Sequence, residues 1–226
     1  MHLPVKELFR LVMDKKIVNN PDKTVTGISK DTLDESVEVL VRAFEDDPII
    51  NYFLSDHESN YMEGARRIFK YQCLMYIEMD LPIFGILQNS RITGIACLSV
   101  SENKKRPDSL IEADKEFEEF MGLLSFGRIK RYMSLKKKHT PDELHHYLAA
   151  LGVHPDFQEQ GFGRLLLDEV QRITENHQES TGIFLETAKM KNVEMYRYFG
   201  YNLLATEKLD GIVDLWYMFR PVRKND

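Results

Sequence analysis

The run Gln158-Glu159-Gln160-Gly161-Phe162-Gly163 limits what this chain can fold into more than any other stretch. Before it, residues 145–153 (HHYLAALGV) are apolar and strand-like. After it, residues 161–177 place Leu166, Val170, Ile173 and His177 on one helical face. A strand that passes through two glycines straight into an amphipathic helix can turn tightly and let a ligand approach its backbone. The first helical turn offers free N–H groups and a partial positive charge, so it is a ready anion site. A pyrophosphate is its natural occupant. Two familiar phosphate motifs are excluded. No GxxxxGK[ST] run occurs, and GxGxxG would need glycine where Leu166 stands.

The elements around this turn suggest a mixed sheet. Residues 24–28 read as a first strand. Asp31 or Thr32 then caps a helix reaching Phe44, with Leu33, Val37, Leu40 and Val41 on its buried stripe. The acidic run Glu45-Asp46-Asp47 before Pro48 sits at the wrong end of that helix for its dipole and reads as a solvated turn that could also attract a cationic amine. A longer helix spans 60–78. Strands at 83–88 and 92–100 form a hairpin through Asn89-Ser90-Arg91. Residues 101–140 are acidic first and basic later, and read as an inserted helical segment with a solvated face. A buried strand at 182–187, a short helix at 192–199 and a strand pair around Asp210-Gly211 complete the chain. Residues 1–22 read as an N-terminal helical extension ended by Asn20-Pro21. The expected fold is α/β, with a mixed sheet of about six or seven strands and helices on both faces, as one domain over 1–226.

Composition narrows the function. With 43% hydrophobic residues, 13 Phe and 10 Tyr, the chain is not a solvated coil. A formal charge of −6 gives no reason to expect nucleic acid, and the basic run at 128–138 is a weak exception. Cys73 and Cys97 have no zinc spacing and read as buried thiols of a cytoplasmic protein. No apolar run is long enough to span a membrane.

QEQGFG resembles the [Q/R]-x-x-G-x-[G/A] motif of the GNAT superfamily of acetyl-CoA-dependent N-acetyltransferases. The wider stretch LGVHPDFQEQGFGRLLLDEV looks like that family's fourth strand, pyrophosphate loop and following helix. About 30 residues on, ETAKMKNVEMYRYFGY resembles its Nx3Yx3G[F/Y] segment, with Asn192, Tyr196, Gly200 and Tyr201 at the matching positions. AFEDDPIINYF and HHYLAALGV are similar to the puromycin acetyltransferase-like subgroup. The match is close over residues 144–220 and holds only in outline before them.

The resemblance implies a site. Backbone groups of Leu151 and Val153 would pair with the pantetheine arm of acetyl-CoA, held between two splayed strands. The loop Gln158, Glu159, Gln160, Gly161, Phe162, Gly163 and Arg164 would hold the pyrophosphate, chiefly through its N–H groups. Asn192 would contact the pantetheine region or simply cap its helix. Tyr196 matches the family's general acid, and the N–H of Val153 would stabilise the oxyanion. Counting by twos from Val153 puts Leu151, Ala149, Tyr147 and His145 on one face. Tyr147 and Ala149 stand where relatives can carry a base, so His145 or Glu186 would act through a water.

Adjacent His145 and His146 point to opposite faces of a strand, so no metal is expected. The implied function is acetyl transfer from acetyl-CoA to a primary amine of a small molecule or peptide, by direct attack in a ternary complex. A coenzyme-binding sensor with little turnover and an enzyme using another acyl-CoA are the alternatives. Neither nucleic acid nor membrane is an expected partner, and monomer or homodimer are both open.

Overall fold

The structure is a computed structural model that describes residues 23–57, 60–100 and 105–222. The helical extension expected over 1–22 lies outside the described residues. Seven strands form one sheet: β1 (Lys23–Gly27), β2 (Ile83–Gln88), β3 (Arg91–Val100), β4 (His146–Val153), β5 (Gly182–Thr187), β6 (Asn202–Leu209) and β7 (Val213–Pro221). Their order is β1-β2-β3-β4-β5-β7-β6. All neighbours pair antiparallel except β4 and β5, which are parallel. The helices are α1 (Leu33–Ala43), α2 (Pro48–Phe53), α3 (Tyr61–Glu78), α4 (Ile111–His139), α5 (Phe162–Glu175) and α6 (Met190–Tyr198).

Local sequence explains the turns. Asn89 and Ser90 both adopt positive φ (49° and 62°), as do Asp210 and Gly211 (48° and 72°). That backbone matches the twist of a tight hairpin, and Asn, Asp and Gly tolerate it best. Thr32 does stand at the N-cap of α1, but its hydroxyl turns back to accept from the Ser29 N–H at 3.1 Å.

Two apolar layers cover the sheet. On one face α1, α2 and α3 pack Leu40, Val41, Phe53 and Phe69 against Ile95, Cys97, Ala150 and Phe184. On the other, α5 places Leu166, Leu167, Val170 and Ile173 against Phe84, Ala96, Leu98 and Leu148. Cys73 and Cys97 are free and buried in the first layer. Among the described residues no helix is long and apolar enough to cross a membrane.

Three local expectations are corrected. Glu45-Asp46-Asp47 is not simply a solvated turn. Asp47 is 7% exposed and caps α2, accepting from the Ile49 and Ile50 N–H groups at 2.9 and 3.3 Å. The insert over 101–140 carries α4, one helix broken at Gly122 (φ 66°, ψ 176°), and its second half turns a face inward rather than lying on the surface. The alternation along β4 also fails. Cys97 opposes Ala150 and Leu98 opposes Leu148, so Ala149 is an extra residue, a β-bulge. Beyond the bulge Leu151 and Val153 pack with the α5 layer, whereas Tyr147 and Ala149 pack with the α1–α3 layer.

Candidate active site

The strands β4 and β5 pair only at His146↔Ile183 and Tyr147↔Phe184. From there they part. β5 stays fixed because it pairs with β7 along its whole length, Gly182↔Pro221 to Thr187↔Trp216. β4 stays fixed on its other side by β3. The bulge at Ala149 sits where the parting begins, and a bulge favours a bend in its strand. The β4 backbone from Leu148 to Val153 therefore has no ladder partner on the β5 side.

The end of this gap is the glycine turn. A 3-10 turn at Pro155–Phe157 follows β4, and the Gln158 side chain donates to Val153 O at 3.0 Å. Glu159 takes a left-handed φ of 62° and Gly161 one of 85°. Gly161 is the N-cap of α5 and supplies no side-chain cap, so the N–H groups of the first turn are left for another partner. The glycines are not there for packing. A Cβ on Gly161 would meet nothing within 4 Å, and one on Gly163 only Val153 Cγ2 at 4.0 Å. The turn is an open cradle that suits the pyrophosphate of a coenzyme. Lys23 of β1 reaches it, donating to Gln160 O at 3.1 Å with its ammonium 4.1 Å from the Phe162 ring centre. Arg164 is exposed.

A cavity of about 400 Å³ lies in the parted region. Ala149, Ala150 and Leu151 line it from β4, Glu186 and Thr187 from β5, and Asn192 and Tyr196 from α6. Its remaining walls are largely apolar and aromatic, including Phe44, Phe53, Phe69 and Met75. Tyr132 and Lys136 enter from α4. Glu186 Oε1 accepts hydrogen bonds from the Tyr147 hydroxyl at 2.6 Å and from the Tyr132 hydroxyl, while Oε2 is buried with no partner. Burial and the Glu186 charge push both phenols well above their ordinary range. Tyr196 is 8% exposed. Burial first, then Glu186 and Asp47, raise its phenol, so it stays protonated. Burial likewise raises the Asp47 carboxyl against its two N–H donors. Burial lowers the Lys136 ammonium, which lies 4.2 Å from the Tyr147 ring centre.

The structure brings Leu151, Glu186, Asn192 and Tyr196 to one cavity. Asn192 is not a helix cap. It lies in the first turn of α6 behind Lys189, and its amide donates to Thr187 Oγ1 at 3.2 Å. Val153 is at the turn and not among the cavity-lining residues. His145 is not among them either. It precedes β4, is 1% exposed, and packs edge-on against Phe184 and Phe219 with Nδ1 2.7 Å from Glu143 O. The sequence reading held Asp47 only as part of an acidic run that could attract an amine, and it missed Lys23, Tyr132 and Lys136. Among the described residues no group of three or more His, Cys, Asp or Glu could hold a metal ion.

Comparison with known proteins gives the class of protein to which this parted β4–β5 pair and its glycine turn belong. The sequence model of the acetyltransferase (GNAT) family matches residues 47–201, well over half of the chain, so this protein belongs to that family. Solved structures share the fold at low identity. A histone acetyltransferase HPA2 and related acetyltransferase from Corynebacterium glutamicum superposes with a TM-score of 0.60 at 20% identity, covering 90% of this chain and 98% of that one. A Drosophila melanogaster polyamine N-acetyltransferase gives 0.59 at 12%, covering 89% and 100%. A PaiA N-acetyltransferase from Thermoplasma acidophilum in complex with coenzyme A gives 0.54 at 14%, covering 88% and 98%.

Proposed function

We propose that this chain moves an acetyl group from acetyl-CoA to a primary amine by direct attack in a ternary complex, as one domain. The observation that carries this reading is the gap between β4 and β5, which ends at the open glycine turn and opens into a cavity holding a half-buried carboxylate and a buried phenol. Family membership and the coenzyme A bound to a structural neighbour support it.

Acetyl-CoA, when bound, supplies a thioester whose acyl carbon an amine can attack. The main chain of Leu151 and Val153 would pair with its pantetheine arm. The N–H groups of Gln160, Gly161, Gly163 and Arg164 would hold its pyrophosphate, with Gln158 bracing the turn and Asn192 beside the arm. A backbone N–H between Ala149 and Leu151 replaces that of Val153 as the oxyanion donor, because those residues line the cavity.

The acceptor must lose a proton before it can attack, since an alkyl ammonium has an ordinary pKa near 10. Glu186 is the group to take that proton, because His145 is walled off by Phe184 and Phe219. Tyr196, kept protonated by burial, gives a proton to the departing sulfur.

A thermal melt with and without acetyl-CoA, with ATP and NAD as controls, tests the reading. At about 100 times its dissociation constant the coenzyme should add roughly 2.7 kcal/mol of stability and raise the melting temperature by several degrees. No shift at millimolar coenzyme would overturn it.

A further inference from the structure

The cavity also limits which amine it can hold. Among the described residues three lining side chains carry formal charge: the carboxylates of Asp47 and Glu186, and the ammonium of Lys136. They come from three separate parts of the chain, the α1–α2 turn, β5 and α4. The other walls offer apolar and aromatic surface from Ile49, Phe53, Phe69, Phe117 and Ile129, with phenols between them. Two carboxylates and one ammonium leave one negative charge for a ligand to balance.

The partners of these groups sharpen the count. Glu186 Oε1 is saturated by two tyrosine hydroxyls, yet Oε2 is buried and bare. A buried carboxylate oxygen without a donor is costly, and an incoming N–H would relieve it. Among the described residues Lys136 makes no ion pair with a carboxylate, although the Glu186 charge acts on it through space. It rests instead on aromatic faces, 4.2 Å from the Tyr147 ring centre and 5.5 Å from that of Tyr132. Those are the same two tyrosines that bind Glu186. The cation and the bare oxygen thus flank one tyrosine pair on the cavity wall.

We propose that the acceptor is a primary amine with a single positive charge on an apolar or aromatic body, and that Lys136 is the specificity residue that excludes diamines. The ammonium of such a ligand meets Glu186 and balances the cavity. Its body lies on the apolar walls. A second ammonium would bring a net positive charge into a site of low polarity already holding Lys136, and like charges at close quarters are strongly unfavourable. This inference rests on the acetyltransferase reading above.

The test measures kcat/KM of the full chain with saturating acetyl-CoA. The acceptors are hexylamine, 2-phenylethylamine and 1,5-diaminopentane. The wild type should favour each monoamine over the diamine by at least about tenfold. Lys136→Met should shrink that ratio and Lys136→Glu should reverse it, with the coenzyme-induced melt shift intact in both. If Lys136→Glu loses its cooperative melt, Lys136→Met decides alone. The inference is overturned if the wild type prefers the diamine. It is equally overturned if the ratio is unchanged in a variant that still binds coenzyme, or if no monoamine is acetylated by a chain that coenzyme stabilises. Absence of the melt shift in the wild type would instead remove the acetyltransferase reading, and this inference with it.

Discussion

Replacing Tyr196 by phenylalanine removes one hydroxyl from a residue that is 8% exposed and keeps the ring packed on Tyr201, 5.3 Å away between centroids. The fold should survive. If the phenol supplies the proton to the leaving sulfur, kcat should fall by about 10²-fold with little change in the KM for acetyl-CoA. Equal kcat in Tyr196→Phe and wild type would assign the acid elsewhere. His146 makes a different prediction at the same scale. It is 1% exposed beside Ser180, and burial, then His177 and His145, lower its imidazole to about 3 from 6.5. The unfolded chain binds that proton near 6.5 and the folded one does not. Its contribution to stability is therefore complete above about 6.5 and is lost as pH falls towards 3, by about 1.4 kcal/mol per unit. His146→Gln should flatten the fall of melting temperature between pH 6 and 4; an unchanged slope would count against it. Tyr196, Asn192 and the glycines were legible because their spacing is local. Glu186 was legible only as a carboxylate on a strand, since the hydroxyls of Tyr132 and Tyr147 reach it from 54 and 39 residues away in sequence.

Element by element, most helices and strands could be read from hydrophobic period and turn residues, but the bulge at Ala149 could not. Every residue around it is apolar, so the pattern carries no mark of one extra residue, and counting by twos goes out of step there. Helix α2 was missed for another reason. An acidic run after a helix suggests solvent, yet Asp47 starts a new helix whose Pro48 already has the φ a first turn needs. Its role can be separated into cap and charge. Asp47→Ala removes the acceptor for two N–H groups and should cost about 1 kcal/mol, whereas Asp47→Asn keeps an acceptor oxygen and should cost less. Chemical denaturation of both variants would check this; equal losses would mean that the charge, rather than the cap, holds α2. Lys136 was hidden by its company, because a basic run at the end of a helix is an ordinary solvated feature until the fold turns one member inward.

At the scale of the whole molecule, the cavity is a joint product of distant parts. The α1–α2 turn supplies Asp47, the insert supplies Tyr132 and Lys136, and the sheet supplies Glu186. Ties outside the cavity hold these parts in place: Arg128 pairs with Asp56 at 2.6 Å and Arg131 with Asp210 at 2.8 Å. They fasten the second half of α4 to the segment after α2 and to the β6–β7 turn. No local sequence signal could show that residues so far apart share one wall. The gap between β4 and β5 has its own consequence. The β4 edge left unpaired along it is main chain, and main chain is common to every amino acid. Substitutions along 149–151 can drift in size and shape without erasing the N–H and C=O pattern that a strand-like guest would meet. Proline alone deletes a donor there. In the proposed reading the coenzyme contact is thus insulated from mutation, while the proposed acceptor wall, made of side chains, is free to be rewritten one residue at a time.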